Sequence, residues 1–520
     1  MSKLWGPRKP DDTESMESSH MSHSRDPDER TSLLRPENGH HPLSPDDPAV
    51  SPYNLLSVRS LRWASILLLT ISLLWWIVLL ISMFVSPPGI YSRGSGFSDF
   101  AFSTLATGSL VLLLLFFATP AKSEQYSWII LSVLLFIDII IILAVGRIRG
   151  EEGWVGIVSV IWATVISTWG ILCDRVVAYG KREEEERLTG RRETRRSLAE
   201  WLSVFSATIV LIVFIAIACL LTATLILRSR DASLAPPGTR YWVDGHGYEI
   251  HLFCTGNATT ADGKRVTTVL VEGGEDPVKH GLEGWILGTY QDKQIERYCY
   301  WDRPGIAFSD NAPSPLSAGM AIDVLSEALM KADEKGPWVL VSHGVGGIYS
   351  RIFASRHTTE VKGLLLIDAL PESQLHRIGS AGRGFLLWLR GIISPIGIDR
   401  LTGAIFMGRD RADRIYGRSA YQSGKQIKAK LQENLVATTF TKNEIAAAKA
   451  ILPKSVPVAV ISSGKSVKHD QQWNDGQREL TEITDNLVAW DVVNHAPHDV
   501  WNSIDGANIL QKRLKELLRG

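Results

Sequence analysis

Val339-Leu340-Val341-Ser342-His343-Gly344-Val345-Gly346-Gly347 is the stretch on which the fold turns. Trp338 to Val341 are bulky or β-branched apolar residues and read as a buried strand. Ile348-Tyr349-Ser350-Arg351-Ile352-Phe353-Ala354 then takes up a helical period. Between strand and helix the chain must reverse within a few residues. Gly344 stands at the centre of that turn, and two small residues, Ser342 and Gly346, stand two positions to either side. Small side chains there let the strand and helix approach closely, and a glycine at the centre suits a backbone with positive φ.

Outward from this turn, the chain from 238 to 520 alternates apolar strands with helical segments. Arg240–Val243 and Tyr248–Cys254 flank the turn Asp244-Gly245-His246-Gly247 and read as a hairpin. Val266–Val271 ends in Glu272-Gly273-Gly274, and Tyr298–Trp301 ends in Asp302-Arg303-Pro304-Gly305. Met320–Lys331 has helical spacing. Lys362–Asp368, Pro457–Ser463 and Leu487–Val493 complete the strands, and a helix near Ile504–Leu518 closes the chain. Such alternation predicts a mainly parallel sheet covered by helices, opened by an antiparallel hairpin.

These motifs, in this order, resemble the α/β-hydrolase fold. The segment Trp301-Asp302-Arg303-Pro304-Gly305-Ile306-Ala307-Phe308-Ser309-Asp310 is similar to one branch of that family, and the whole chain resembles multi-pass fungal membrane proteins that carry such a domain. The resemblance makes the turn at Gly344 the nucleophile elbow, with glycine where the attacking serine stands. It implies oxyanion-hole amides from Gly273 and Gly274 and from Val345, and a catalytic histidine at His495, with His498 as a nearby competitor. The acid is Asp368, after the sixth strand, or Asp470, after the seventh. Ser342 is a displaced-nucleophile alternative, although two residues back along a strand sets its hydroxyl about 6–7 Å deeper. The insert 371–450 falls where this fold carries its lid. There Phe385–Ile393 could form cap core, line a pocket for an acyl or lipid-like ligand, or lie on a bilayer. In this fold Cys254 and Cys299 would lie on neighbouring strands, either as a disulfide in an oxidising lumen or as two reduced buried thiols. No metal or cofactor is expected.

Ahead of this domain, five apolar runs, about 61–85, 100–118, 127–145, 154–172 and 201–227, are each long enough to span a hydrocarbon core. The loop 174–197 carries Arg175, Lys181, Arg182, Arg187, Arg191, Arg192, Arg195 and Arg196, which predicts that it is cytoplasmic. An odd number of spans then places residues 238–520 in a lumen, where Asn257-Ala258-Thr259 would be a glycosylation acceptor. Asp138, in the middle of the third run, is either a transport residue or a neutral acid facing the bundle. Residues 1–60 are polar, without a sustained apolar period, and are expected to be a disordered cytoplasmic tail. Within it, Glu29-Arg30-Thr31-Ser32-Leu33-Leu34 resembles an acidic dileucine signal read by sorting adaptors, which points to the vacuole or endolysosome. The family resemblance offers a mitochondrial membrane instead.

The chain holds 55 basic and 55 acidic residues, a balance that gives no ground for nucleic-acid binding. A serine mechanism needs an oxygen nucleophile, a base in reach and donors for the oxyanion. Gly344 supplies no oxygen. The expected protein is therefore a bilayer-anchored, hydrolase-like domain that binds, senses or scaffolds. The alternatives are an active ester or lipid hydrolase using Ser342 or activated water with histidine and acid, and a transporter through the bundle.

Overall fold

The computed structural model describes residues 52–190 and 196–519. The tail motif at Glu29, Leu33 and Leu34, and the loop arginines Arg191, Arg192 and Arg195, lie outside the described residues.

Among the described residues, five helices are long and apolar enough to cross a membrane: α1 (Leu56–Ser82), α2 (Phe97–Leu115), α3 (Lys122–Ala144), α4 (Gly146–Thr189) and α5 (Leu198–Asp231). Each starts before its apolar run does, because polar residues supply the first turn. α4 changes direction at Gly153, where φ is 62° and ψ is −162°. Beyond Gly153 it runs for roughly 50 Å at 1.5 Å per residue, well past a hydrocarbon core of about 30 Å. Asp138 is buried within the bundle, on α3 opposite Thr222 of α5.

The C-terminal half carries an eight-stranded sheet: β1 (Thr239–Val243), β2 (Tyr248–Gly256), β3 (Thr268–Glu272), β4 (Arg297–Asp302), β5 (Trp338–His343), β6 (Val361–Ile367), β7 (Val458–Ser463) and β8 (Leu487–Val493). Its order is β1-β2-β4-β3-β5-β6-β7-β8. β2 pairs antiparallel with both β1 and β4, and every later pairing is parallel. This order, with β3 crossing back between β4 and β5, is that of the α/β-hydrolase fold. Strands buried on both faces require helices on both sides, and their apolar runs supply the contacts. One face packs on Ala318–Lys331 and Gly346–Arg356, the other on Glu283–Gln291 and Ile504–Arg519. Cys254 and Cys299 are directly opposed in the β2–β4 pair and are joined as a disulfide.

The insert between β6 and β7 is helical and leans on the bundle. In the helix Ala381–Ile393 only Gly391 is fully buried, against Phe97 of α2, while Leu387, Trp388 and Ile392 pack with Leu79, Met83 and Phe100 at the ends of α1 and α2. Phe385, Leu386 and Leu389 are exposed.

The helix Gly424–Val436 runs between membrane region and sheet domain. Lys428 Nζ donates to the Met83 carbonyl just past α1, Gln432 Nε2 donates to the Ala312 carbonyl at 2.7 Å, and Glu433 accepts from Arg303 Nε at 3.2 Å. The loop between α1 and α2 also binds the domain: Tyr91 donates to the Gly247 carbonyl at 2.8 Å, and Asn311 N donates to the Arg93 carbonyl at 2.7 Å.

Candidate active site

β5 delivers the chain to Gly344 with φ +52°, a left-handed conformation in which an L side chain is strained and glycine is not. Its N–H donates to the Ile367 carbonyl at 3.2 Å, and its carbonyl accepts from Leu370 N at 2.7 Å, which pins the turn to the end of β6. Close approach sets the next requirement: a Cβ at Gly346 would lie 2.4 Å from the Gly273 carbonyl oxygen. A tight turn between strand and helix, as expected from the small residues, is therefore present.

Asp368 follows β6 with φ 39° and is completely buried. Its carboxylate accepts from Ser463 N at 3.0 Å, Trp473 Nε1 at 2.8 Å and Ser466 Oγ at 3.2 Å, and lies 2.6 Å from Nδ1 of His498. The His498 ring is about half exposed; its partial burial pushes the pKa down, but the hydrogen bond and charge of Asp368 outweigh it, so the imidazole is raised above 6.5. Nε2 of His498 faces the elbow. A Cβ built on Gly344 would lie 3.3 Å from it.

The histidine at the site is thus His498, and the placement of His495 there is corrected. His495 ends the tight turn after β8 with φ 59° and is exposed. Three residues further on, the chain brings His498 to Asp368. Asp470 is likewise away from the imidazole: it caps the helix Gln471–Thr481 by accepting from Trp473 N at 3.1 Å, and it pairs with Arg377. Ser342 lies on β5 beside Glu272 of β3, fully buried, and its hydroxyl has no hydrogen-bond partner.

Sequence reasoning missed the residues that hold this geometry. Arg303 donates to the Gly273 carbonyl at 2.7 Å and the Gly274 carbonyl at 2.6 Å, pairs with Glu272 at 2.9 Å, and stacks over Tyr349. Within the quoted Asp302-Arg303-Pro304-Gly305 stretch, a buried arginine after an apolar strand was the available signal. Burial against this network pushes Glu272 up to about 7 despite Arg303. His343 is buried with its ring 4.3 Å from that of His498 and edge-on to Trp501; burial and the neighbouring imidazole hold it well below the usual histidine range, so it stays neutral. Trp473, whose indole N–H fixes Asp368, gave no sequence signal.

Above the elbow opens a cleft of about 560 Å³ reached by Gly344, Val345, Leu370, Trp473 and His498. Glu275 stands at its rim. Burial would raise this carboxyl, but Lys430 at 3.0 Å and Arg383 at 2.8 Å hold it at about 2. The arrangement offers an imidazole backed by a carboxylate, backbone amides at the start of a helix, and a concave, partly apolar wall.

Comparisons with known proteins touch both halves of the chain. Residues 20–254 match a region of unknown function, DUF2417. An uncharacterized protein of Schizosaccharomyces pombe is 36% identical over 527 residues, 95% of this chain and 97% of that protein. The chain belongs to that protein's family. This family's sequence similarity extends to an uncharacterized vacuolar membrane protein of Saccharomyces cerevisiae, 26% identical over 384 residues, 63% of this chain and 59% of that protein. Among solved structures, the Cif epoxide hydrolase from Acinetobacter nosocomialis aligns with 58% of this chain and 95% of its own at 14% identity and a TM-score of 0.41. The enol-lactonase from Burkholderia xenovorans aligns with 54% of this chain and 100% of its own, at 14% identity and a TM-score of 0.37.

Proposed function

We propose that this family member is a vacuolar membrane protein whose hydrolase-fold domain binds a small acyl or lipid-like ligand in its cleft without turning it over. The observation that carries this is glycine at 344, with hydrogen where an oxygen nucleophile would face Nε2 of His498. In the proposed site Asp368 orients His498, and the amides of Gly273, Gly274 and Val345 are the anion-stabilising donors. Ser342 is set aside because its hydroxyl is sealed within the sheet. The vacuolar assignment leans on the name of the budding-yeast relative. With the basic loop after α4 in the cytoplasm, the domain faces the lumen and Asn257, which is exposed, is its glycosylation site. The tail motif at Glu29, Leu33 and Leu34 would then meet cytoplasmic sorting adaptors.

A second reading, water-activated hydrolysis, has one observation in its favour: the space above Gly344 lets a water stand beside His498. Enzymes stripped of their triad still retain roughly 10³–10⁴-fold catalysis over water. The test uses the full-length protein in detergent, with fluorophosphonate labelling and ester turnover. The expected result is no labelling of the natural protein, labelling of Gly344→Ser, and loss of that labelling in Gly344→Ser/His498→Ala. Turnover by the natural protein that disappears in His498→Ala would replace the binding reading with the hydrolytic one.

A further inference from the structure

A second cavity, of about 100 Å³, lies where the membrane helices meet the lid, away from the elbow. We propose that it is a binding site for a phosphate-type oxyanion. Five cationic side chains reach it: Arg147 and Arg228 from the bundle, and Arg400, Arg414 and Lys425 from the insert. Three carboxylates pair with them. Arg228 contacts Glu151 at 3.0 Å and Glu152 at 2.5 Å, Arg147 and Lys425 also turn to Glu151, and Arg400 and Arg414 share Asp231. Asp99 packs against Glu152, behind the cations. Positive charge is therefore in excess in a buried place, where an uncompensated ion is costly.

Polar atoms without partners point the same way. Gln426 is 1% exposed and neither its Oε1 nor its Nε2 has a hydrogen-bond partner, and Nε of the buried Arg400 has none. Both residues line the cavity. Three helices begin at its wall, α2 beside Gly94 and Ser95, α4 beside Arg147, and Gly424–Val436, and one, α5, ends there at Arg228–Asp231. Helix N-termini present free N–H groups and the positive end of the dipole. Burial pushes Lys425 down to about 8, a shift that a bound anion would oppose. The volume holds several waters, enough for a tetrahedral oxyanion. Because the site lies at the domain-facing ends of the apolar helices, the phosphate could be a lipid headgroup or a free ion; the chemistry is the same.

The test uses the full-length protein in neutral detergent, following Tm while sodium phosphate is added at constant ionic strength. Parallel samples receive micelles of phosphatidic acid or phosphatidylcholine. A saturable rise in Tm is expected from phosphate, from phosphatidic acid, or from both. A response to soluble phosphate identifies the free ion, and a response to phosphatidic acid alone identifies the headgroup. Arg400→Gln should raise the half-saturating concentration by about tenfold, the loss of one charge-assisted hydrogen bond. Gln426→Glu places a carboxylate inside the cavity, so it should raise the ligand-free Tm and abolish the response. This variant decides the matter if Arg400→Gln does not fold. No rise from either phosphate or phosphatidic acid beyond that from equal chloride or phosphatidylcholine, or unchanged half-saturation in Gln426→Glu, would overturn the site.

Discussion

With hydrogen at position 344, the imidazole of His498 has no partner on the elbow side, and its chemistry is set by Asp368. The carboxylate raises the imidazole's pKa above 6.5 against the opposing effect of burial. The sign follows from linkage: stability from this pair is complete below pH 6.5 and is lost as pH rises through the raised folded-state value. An NMR titration of His498 in the full-length protein should therefore give a midpoint above 6.5, and Asp368→Asn should bring it down. A midpoint indifferent to Asp368→Asn would mean that the 2.6 Å contact does not govern the ring. The same residues show what sequence could and could not reveal. Gly344 and Gly346 were legible because a turn between strand and helix is fixed by local chain geometry, whereas Asp368 was one of two acids, with Asp470, that the sequence left open. His498 was confused with His495 because both follow β8 within a short loop, and only the direction of that loop tells them apart.

At the scale of elements, a mainly parallel sheet opened by a hairpin was legible from alternating strands and helices, while the role of the lid was not. Phe385–Ile393 is amphipathic, and an apolar face reads alike whether it covers a pocket, a bilayer or another helix. The structure sets part of that face against α1 and α2, with Gly391 pressed on Phe97. A Cβ at Gly391 would lie 2.1 Å from the Phe97 ring, which is itself wholly buried. Gly391→Ala is expected to cost roughly 1–3 kcal/mol through overpacking. Gly382, in the same helix, has open space around it, so Gly382→Ala should be neutral or stabilise by about 0.5–1 kcal/mol. Equal melting temperatures for the two variants would mean that the lid does not rest on the bundle.

For the whole molecule, the orientation of the bundle decides which compartment the cleft samples. With the domain in the lumen, protein from cell membranes should carry a glycan that glycosidase removes, and Asn257→Gln should lack it. A mass shift absent from the natural protein, together with digestion of residues 240–520 by cytosolic protease, would reverse the orientation. Membrane and sheet halves are in either case joined by direct contacts. The helix Gly424–Val436 touches the end of α1 through Lys428, and, a little over one turn later, holds Arg303 through Glu433. Arg303 in turn grips the carbonyls of Gly273 and Gly274. That helix is a strut between bilayer and elbow. Linkage along such a strut is reciprocal, so if a ligand in the cleft changes the equilibrium position of α1, a shift of α1 changes that ligand's affinity by the same factor.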